Sequence, residues 1–190
     1  MQDVLHHMTH WLEKAVIGLN LCPFAKAVHV KGQIHWVISE AQDDADVLSI
    51  LEQELQALHD LSPDIRDTTL IVLPHAFADF YDFNDFWGRA ERLLKKRKFE
   101  GEFQIASFHP RFVFAGTDDD DITNATNRAP YPTLHLLREA SVDRAVAAFP
   151  QAQDIFETNM QTLENLGAQG WQQLMLGAQA TGSVDEKGRP

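Results

Sequence analysis

TTLIVL, residues 68–73, decides the fold class of this chain. It is an unbroken run of β-branched and apolar residues that Pro74 closes, which is typical of a strand buried on both faces of its sheet. Such strands occur in α/β proteins, where helices cover a mostly parallel sheet from both sides. The run therefore predicts a central strand with helices before and after it.

Periodic apolar patterns on either side of this strand predict the remaining elements. Two more strands are expected at residues 33–38 and 101–108, and helices at 3–19, 44–60, 79–96, 133–139, 141–148 and 153–166. Strands separated by helices of this length imply βαβ crossovers. We therefore predict one α/β domain over residues 1–177, with a small, mostly parallel sheet of three to four strands covered by helices. A disordered tail is expected at residues 178–190.

Composition excludes several classes of function. The net charge of −12 argues against binding to nucleic acid or to an anionic membrane, because both need clustered Lys and Arg. No apolar run reaches the ~20 residues of a membrane span. The first residues lack the apolar core of a secretory signal, and the single cysteine cannot form an internal disulfide. We therefore expect a protein of the reducing cytoplasm.

Strong cofactor signatures are missing from the sequence. There is no G-x-G-x-x-G after a strand, no P-loop, no G-x-S-x-G and no paired CxxC motif. Dinucleotide enzymes, P-loop nucleotidases, serine hydrolases and zinc ribbons are therefore disfavoured. A divalent metal stays open as a cofactor.

Side chains that carry chemistry are concentrated between residues 103 and 139. The third predicted strand is followed by His109, and a polar loop with four consecutive aspartates at 118–121 comes next. Ligands of open parallel sheets bind outside the carboxyl ends of the strands, so His75 and His109 should emerge at one edge, beside this loop. His109 is therefore a candidate general base or metal ligand, and a structural imidazole is the alternative.

Thr126–Pro132 supplies candidate ligand-binding groups. Its two prolines restrict the backbone, and Asn127 and Arg128 lie where an amide and a guanidinium can hold a carboxylate or phosphate. On the helix expected at 133–139, His135, Arg138 and Glu139 would share one face and orient the loop. Internal ion pairs would produce the same pattern.

Cys22 is a weaker candidate. A nucleophilic cysteine needs a lowered pKa, and the C-terminus of the first helix would raise it instead. Cys22 is thus either a small core residue or, if His109 or Arg128 folds back against it, a nucleophile or thiolate ligand.

Three functions fit these observations. The first is an enzyme acting on a small anionic metabolite, with His109, Cys22 and Glu139 as catalytic candidates and with Arg128, Asn127, His135 and Arg138 as binding groups. The second is a non-catalytic binding module that docks a partner through aromatic side chains, namely Phe77, Phe80, Tyr81, Phe83, Phe86 and Trp87. The third is a metal site built from Cys22, His109 and one acidic residue.

Four strings of the sequence resemble a bacterial family of uncharacterised proteins, known only as a domain of unknown function. They are WLEKAVIGLNLCPFA (11–25), FNDF (83–86), FQIASFHPRFVFAG (103–116) and TNRAPYPTLHLLREAS (126–141). The resemblance implies that certain residues occupy the signature positions of the family, but it supplies no activity and no cofactor. Those positions are Asn20, Cys22, Pro23, His109, Pro110, Asp119, Asn127, Arg128, His135, Arg138 and Glu139. Asp119 joins the candidate binding residues on this ground alone.

Overall fold

A computed structural model describes residues 1–148 and 154–176, in which four strands form one sheet with helices on both faces. The strands are β1 (Ile34–Ile38), β2 (Thr68–Val72), β3 (Phe103–Phe108) and β4 (Thr133–Arg138). The helices are α1 (Gln2–Trp11), α2 (Ala25–Val30), α3 (Asp44–Asp60), α4 (Phe80–Lys96), α5 (Glu139–Ala148) and α6 (Ile155–Gln173). A π-helical segment (Leu12–Ile17) continues α1, and a 3₁₀ segment (Ile122–Asn127) precedes β4.

The sheet is mixed, which corrects the prediction of a mostly parallel one. Its strand order is β1-β2-β4-β3, with β1 and β2 parallel. β4 lies between β2 and β3 and is antiparallel to both. The α/β class and the single domain are confirmed, as is the buried central strand, since all five residues of β2 are buried.

The helix predicted at residues 133–139 is wrong, and this error explains the mixed sheet. The segment pairs with a strand on each side, and its apolar residues alternate so that Leu134 and Leu136 are fully buried on one face. Leu and Arg are good helix formers in isolation. Hydrogen bonding to two neighbouring strands outweighs that local preference, which amounts to tenths of a kcal/mol per residue.

Two helical layers bury the two faces of the sheet. On one face, α3 and α4 pack their apolar stripes, including Leu51, Leu55 and Phe83, against Ile71 and the inward residues of β4. On the other face, α1, the π-helical segment and α6 cover Leu70 and Val72. Each fully buried Leu or Phe contributes roughly 1.5–3 kcal/mol, so these faces supply most of the driving force for folding.

Aspartate N-caps set the starts of the two helices that were predicted most accurately. The Asp43 carboxylate accepts from the Asp46 N–H at 3.0 Å, and the Asp79 carboxylate accepts from the Tyr81 N–H at 2.8 Å. An aspartate side chain satisfies a backbone donor that the first turn leaves without a partner. Helices α3 and α4 therefore agree with the predicted ranges to within one residue.

The terminal helices differ from the predictions in extent. The first helix is interrupted by the π-helical segment and ends before Asn20, whose φ of +56° matches the predicted stop. Helix α2 was not predicted, and α6 extends to Gln173 through a kink at Gly167. The predicted tail at 178–190 lies outside the described residues. No helix among the described residues is long and apolar enough to cross a bilayer.

The two strand ends that precede His75 and His109 lie at one edge of the sheet. β1, β2 and β3 run in the same direction, because β2 and β3 are both antiparallel to β4. Thr133, the first residue of β4, is opposite both Val72 and Phe108, the last residues of their strands. We call this side of the sheet the carboxyl edge. His75 and His109 follow it as expected.

Candidate functional site

His109 is locked by hydrogen bonds on both sides of its ring. Its Nε2 lies 2.9 Å from the carbonyl oxygen of Phe77, and its Nδ1 accepts from the Arg111 N–H at 3.0 Å. Because Nδ1 is the acceptor, Nε2 must carry the proton and donate it to Phe77. The ring packs between Phe80 and Phe83 of α4, and His109 is 1 % exposed.

This geometry favours the structural alternative for His109 over general base. Burial lowers the pKa of His109, so the imidazole is neutral near pH 7. A neutral imidazole could act as a base only through Nδ1, and that nitrogen already accepts a backbone bond. His75, the other histidine of this edge, forms no hydrogen bond with the His109 ring. It is exposed, and its Nε2 lies 3.4 Å from the Glu40 carboxylate.

Asn124, a residue that the sequence analysis did not single out, organises the polar loop. Its side chain is fully buried, accepts from the Phe114 N–H and from the Thr117 hydroxyl, and donates to the Asp118 carbonyl. Asp121 adds a cap, since its carboxylate accepts from both the N–H and the hydroxyl of Thr123. These bonds lower the pKa of Asp121. No local pattern marks Asn124, because its partners are turns rather than a regular element.

Arg128 is oriented by backbone carbonyls and not by a carboxylate. Its Nε donates to Phe112 O at 3.2 Å and its Nη2 to Asp119 O at 2.6 Å. Burial lowers the pKa of Arg128, and the more distant carboxylates of Asp119 and Asp121 act in the opposite direction. Within the described part of the chain, Arg128 forms no ion pair and Nη1 has no hydrogen-bond partner.

The free nitrogen of Arg128 reaches the surface. Every buried side-chain nitrogen or oxygen of the described residues has a hydrogen-bond partner, so Nη1, which has none, is accessible to solvent. The same holds for Oδ1 of Asn127, whose Nδ2 donates to Ser107 O at 3.1 Å. A cation and an acceptor on consecutive residues are thus both accessible at the carboxyl edge.

Among the described residues, Cys22 and His109 share no hydrogen bond and no direct electrostatic contact. Leu21, the neighbour of Cys22, belongs to the same buried cluster as Ala125 and Ala129, which flank Asn127 and Arg128. The contacts of the His109 ring are instead with the layer of α3 and α4. Since both ring nitrogens are bonded elsewhere, His109 does not activate the thiol directly.

The electrostatics of Cys22 favour a neutral thiol. Burial raises the pKa of Cys22, and hydrogen bonds from the backbone of Phe24 and Ala25, at the start of α2, reduce this effect without cancelling it. Nearby, Asn159 of α6 is buried and donates to Leu21 O at 2.9 Å, which fixes this segment. A polar residue four positions before Leu163 on an apolar stripe was the signal that could have identified Asn159.

His135 lies in the middle of the sheet rather than on a helix. Thr68 donates its hydroxyl proton to Leu136 O at 2.6 Å, so Nε2 of His135 must donate to Thr68 Oγ1 at 2.7 Å. Burial lowers the pKa of His135 to about 4. This imidazole is therefore neutral near pH 7.

Arg138 and Glu139 lie away from the carboxyl edge. Arg138 is five residues along β4 from Thr133, which corresponds to about 17 Å at ~3.4 Å per residue, and Glu139 begins α5. In a strand, His135 and Arg138 face opposite sides of the sheet, so the predicted shared face does not exist. The Arg138 guanidinium instead donates to the carbonyls of Leu58, Leu61 and Arg66, at the end of α3.

The metal alternative finds no support in the described residues. Across residues 1–148 and 154–176, no three His, Cys, Asp or Glu side chains are close enough to hold an ion. Asp119, which was selected from the family resemblance, is an exposed residue. Its backbone carbonyl accepts a hydrogen bond from Arg128. The structure thus brings together Arg128 and the Asp119 backbone, next to Asn127 in the chain.

Comparison with known proteins adds a family and no activity. No curated protein matches the chain, and no solved structure does either. A family model described as "Protein of unknown function (DUF1415)" matches residues 3–173, which is most of the chain. This chain therefore belongs to the DUF1415 family.

Proposed function

We propose that this protein binds a small anionic metabolite at the carboxyl edge of its sheet, with Arg128 holding the negative group. The single observation that carries the proposal is the state of the Arg128 guanidinium. It is oriented by two backbone carbonyls, partly desolvated, and neutralised by no ion pair within the described residues. The carboxylates of Asp119 and Asp121 attract the guanidinium without forming an ion pair with it, so a bound carboxylate or phosphate would recover part of the free energy that partial burial costs.

Other arginines of the chain show the contrast. Arg66, Arg89 and Arg97 each form an ion pair, with Glu54, Asp44 and Glu52 respectively. Arg138 donates to the carbonyls of Leu58, Leu61 and Arg66, in the last turn of α3 and in the segment that follows it. Arg128 and Arg138 are the two of these five that form no ion pair among the described residues, and Arg128 is the one that lies at the carboxyl edge.

Asn127 narrows the chemical class of the ligand. Its Oδ1 accepts no hydrogen bond from the described residues and is accessible, so it suits a ligand hydroxyl or amide N–H. A small carboxylate or phosphate that also carries a hydrogen-bond donor would engage both residues.

Binding is better supported than catalysis. Among the three predicted catalytic residues, His109 is saturated with hydrogen bonds, Glu139 lies beyond the far end of β4, and Cys22 has a raised pKa. The enzyme function predicted from the sequence therefore depends on Cys22.

The test compares ligand-induced stabilisation in two variants. Thermal unfolding of the wild type, of Arg128→Gln and of the control Arg92→Gln, at an exposed position of α4, is followed with citrate and with inorganic phosphate at constant ionic strength. Ligand at about 100 times its Kd stabilises by about 2.7 kcal/mol, which is roughly 5–10 °C for a chain of this size. We expect this shift in the wild type and in Arg92→Gln, and its loss in Arg128→Gln. Equal shifts in all three proteins, or none in the wild type, would overturn the proposal.

A further inference from the structure

Five neighbouring aromatic rings form a continuous row that passes through the polar loop and is exposed at both ends. Ring centroids lie 5.6 Å apart for Tyr81 and Phe80, 5.0 Å for Phe80 and Phe112, 4.9 Å for Phe112 and Phe114, and 6.3 Å for Phe114 and Phe156. This row of rings begins at the start of α4, passes through the polar loop and ends at the start of α6. We call it the aromatic ridge.

The ends of the aromatic ridge are open to solvent. Tyr81 is 66 % exposed and Phe156 is 58 % exposed, whereas Phe80 at 8 % anchors the ridge in the core. Single exposed apolar residues are ordinary on a protein surface, but neighbouring aromatic rings are typical of interfaces. The bonds of Asn124 to the Phe114 N–H and the Asp118 carbonyl hold the loop in place, which lowers the entropy cost of binding a partner there.

Acidic side chains surround the aromatic ridge. The exposed acidic residues on the segments that carry the rings are Asp79 and Asp82 at the start of α4, Asp118, Asp119 and Asp120 in the loop, and Asp154 and Glu157 at the start of α6. One exposed cation, Arg111, belongs to the same loop. Seven carboxylates against the two guanidinium groups of Arg111 and Arg128 give this surface a negative potential.

We propose that the aromatic ridge is a docking surface for a basic segment of a partner protein, rich in Lys or Arg with apolar residues between them. Cations of such a segment would meet the acidic rim and the faces of exposed rings, and its apolar residues would cover the ridge. A second copy of this chain fits poorly, because a symmetric contact would bring one acidic rim against the other. The Arg128 guanidinium adjoins this surface through its bonds to the carbonyls of Phe112 and Asp119. Docking of a basic segment needs no anion at Arg128, so this proposal does not rest on the proposed function.

The experiment measures binding of a short labelled peptide in which Lys and Leu alternate, by fluorescence anisotropy at low and at physiological salt. The charge variant is Asp118→Asn with Asp119→Asn and Asp120→Asn, and its control removes three exposed charges elsewhere, by Asp60→Asn, Asp64→Asn and Glu100→Gln. The ridge variant is Tyr81→Ser with Phe156→Ser, and its control is Val30→Ser with Ile65→Ser, at positions 76 % and 66 % exposed. All these positions are exposed, so the variants should retain their fold.

We expect the charge variant and the ridge variant each to weaken binding by about tenfold or more, and both controls to stay within about twofold of the wild type. Equal losses in a variant and its control would show non-specific attraction and overturn the proposal. So would equal binding of a Glu–Leu peptide, or no binding of the Lys–Leu peptide. Self-association that the ridge variant abolishes would also overturn it, in favour of a second copy.

Discussion

The Nε2 of His109 lies 2.9 Å from the carbonyl oxygen of Phe77, a residue with a φ of +57°. This bond joins the end of β3 to the turn that leads into α4, across 32 positions of sequence. A phenylalanine rarely adopts a positive φ, because its Cβ crowds the backbone. The bond from His109 and the packing of Phe77 against Phe83 and Phe86 hold this strained residue in place.

We predict that His109→Ala lowers the free energy of unfolding by about 2–4 kcal/mol, because it leaves the Phe77 carbonyl and the Arg111 N–H without partners and opens a cavity between aromatic rings. Urea unfolding measures the change. The control is His75→Ala, at an exposed position on the same edge, which should change stability by less than about 0.5 kcal/mol. A variant of His109 with unchanged stability would restore the interpretation of this residue as a ligand or a base.

His135 should make stability depend on pH in the acidic range. Its pKa of about 4 in the folded protein lies below the ordinary value of 6.5, so the unfolded chain binds a proton more readily. The stabilisation is complete above pH 6.5 and is lost as the pH falls toward 4. Between pH 7.5 and 4.5 this one group should remove about 2–3 kcal/mol.

Urea unfolding of the wild type and of His135→Asn at both pH values isolates this effect, because other titrating groups contribute to both proteins. The wild type should lose more stability than the variant on acidification. An equal loss in the two proteins would mean that the imidazole titrates normally in the folded state.

Replacement of Arg138 should affect stability without affecting ligand binding. Arg138→Met removes the donors to the carbonyls of Leu58, Leu61 and Arg66, and we expect a loss of about 2–3 kcal/mol in urea unfolding. The thermal shift caused by citrate or phosphate should persist, because this residue lies at the far end of β4 from the carboxyl edge. If a folded Arg138→Met variant lost that thermal shift, the conclusion that Arg138 lies apart from the ligand site at Arg128 would be contradicted.

Cys22 should react slowly with alkylating agents. Its raised pKa keeps it protonated at pH 7.4, and only the thiolate is a good nucleophile. We expect iodoacetamide to modify the native protein at least about tenfold more slowly than glutathione, and the urea-unfolded protein at a rate close to that of glutathione. Mass spectrometry reads the result cleanly, because the chain has a single cysteine. A native rate above that of glutathione would revive Cys22 as a catalytic nucleophile.

Local sequence patterns were sufficient for the elements whose stabilising groups are close in the chain. The capping residues Asp43 and Asp79 directly precede α3 and α4. The apolar residues of each helix recur every three or four positions along a single segment of the chain. Local patterns were insufficient for residues 133–138. Leu and Arg favour a helix there, and the segment is more stable as a strand only because it pairs with β2 on one side and β3 on the other.

The site shows the same division. The sequence by itself predicted that His109 closes a strand and that Asn127 and Arg128 lie in a restricted turn. The tertiary structure placed that turn at the end of β3, where the His109 N–H donates to the Asn127 carbonyl. Only the tertiary structure decided which of these polar groups keep capacity for a ligand. His109 bonds to a carbonyl 32 residues away, and Arg138 to one 80 residues away. These hydrogen-bond partners are distant in sequence and come close only when the chain folds. The residues next to a polar side chain therefore do not show which distant backbone group will bond to it.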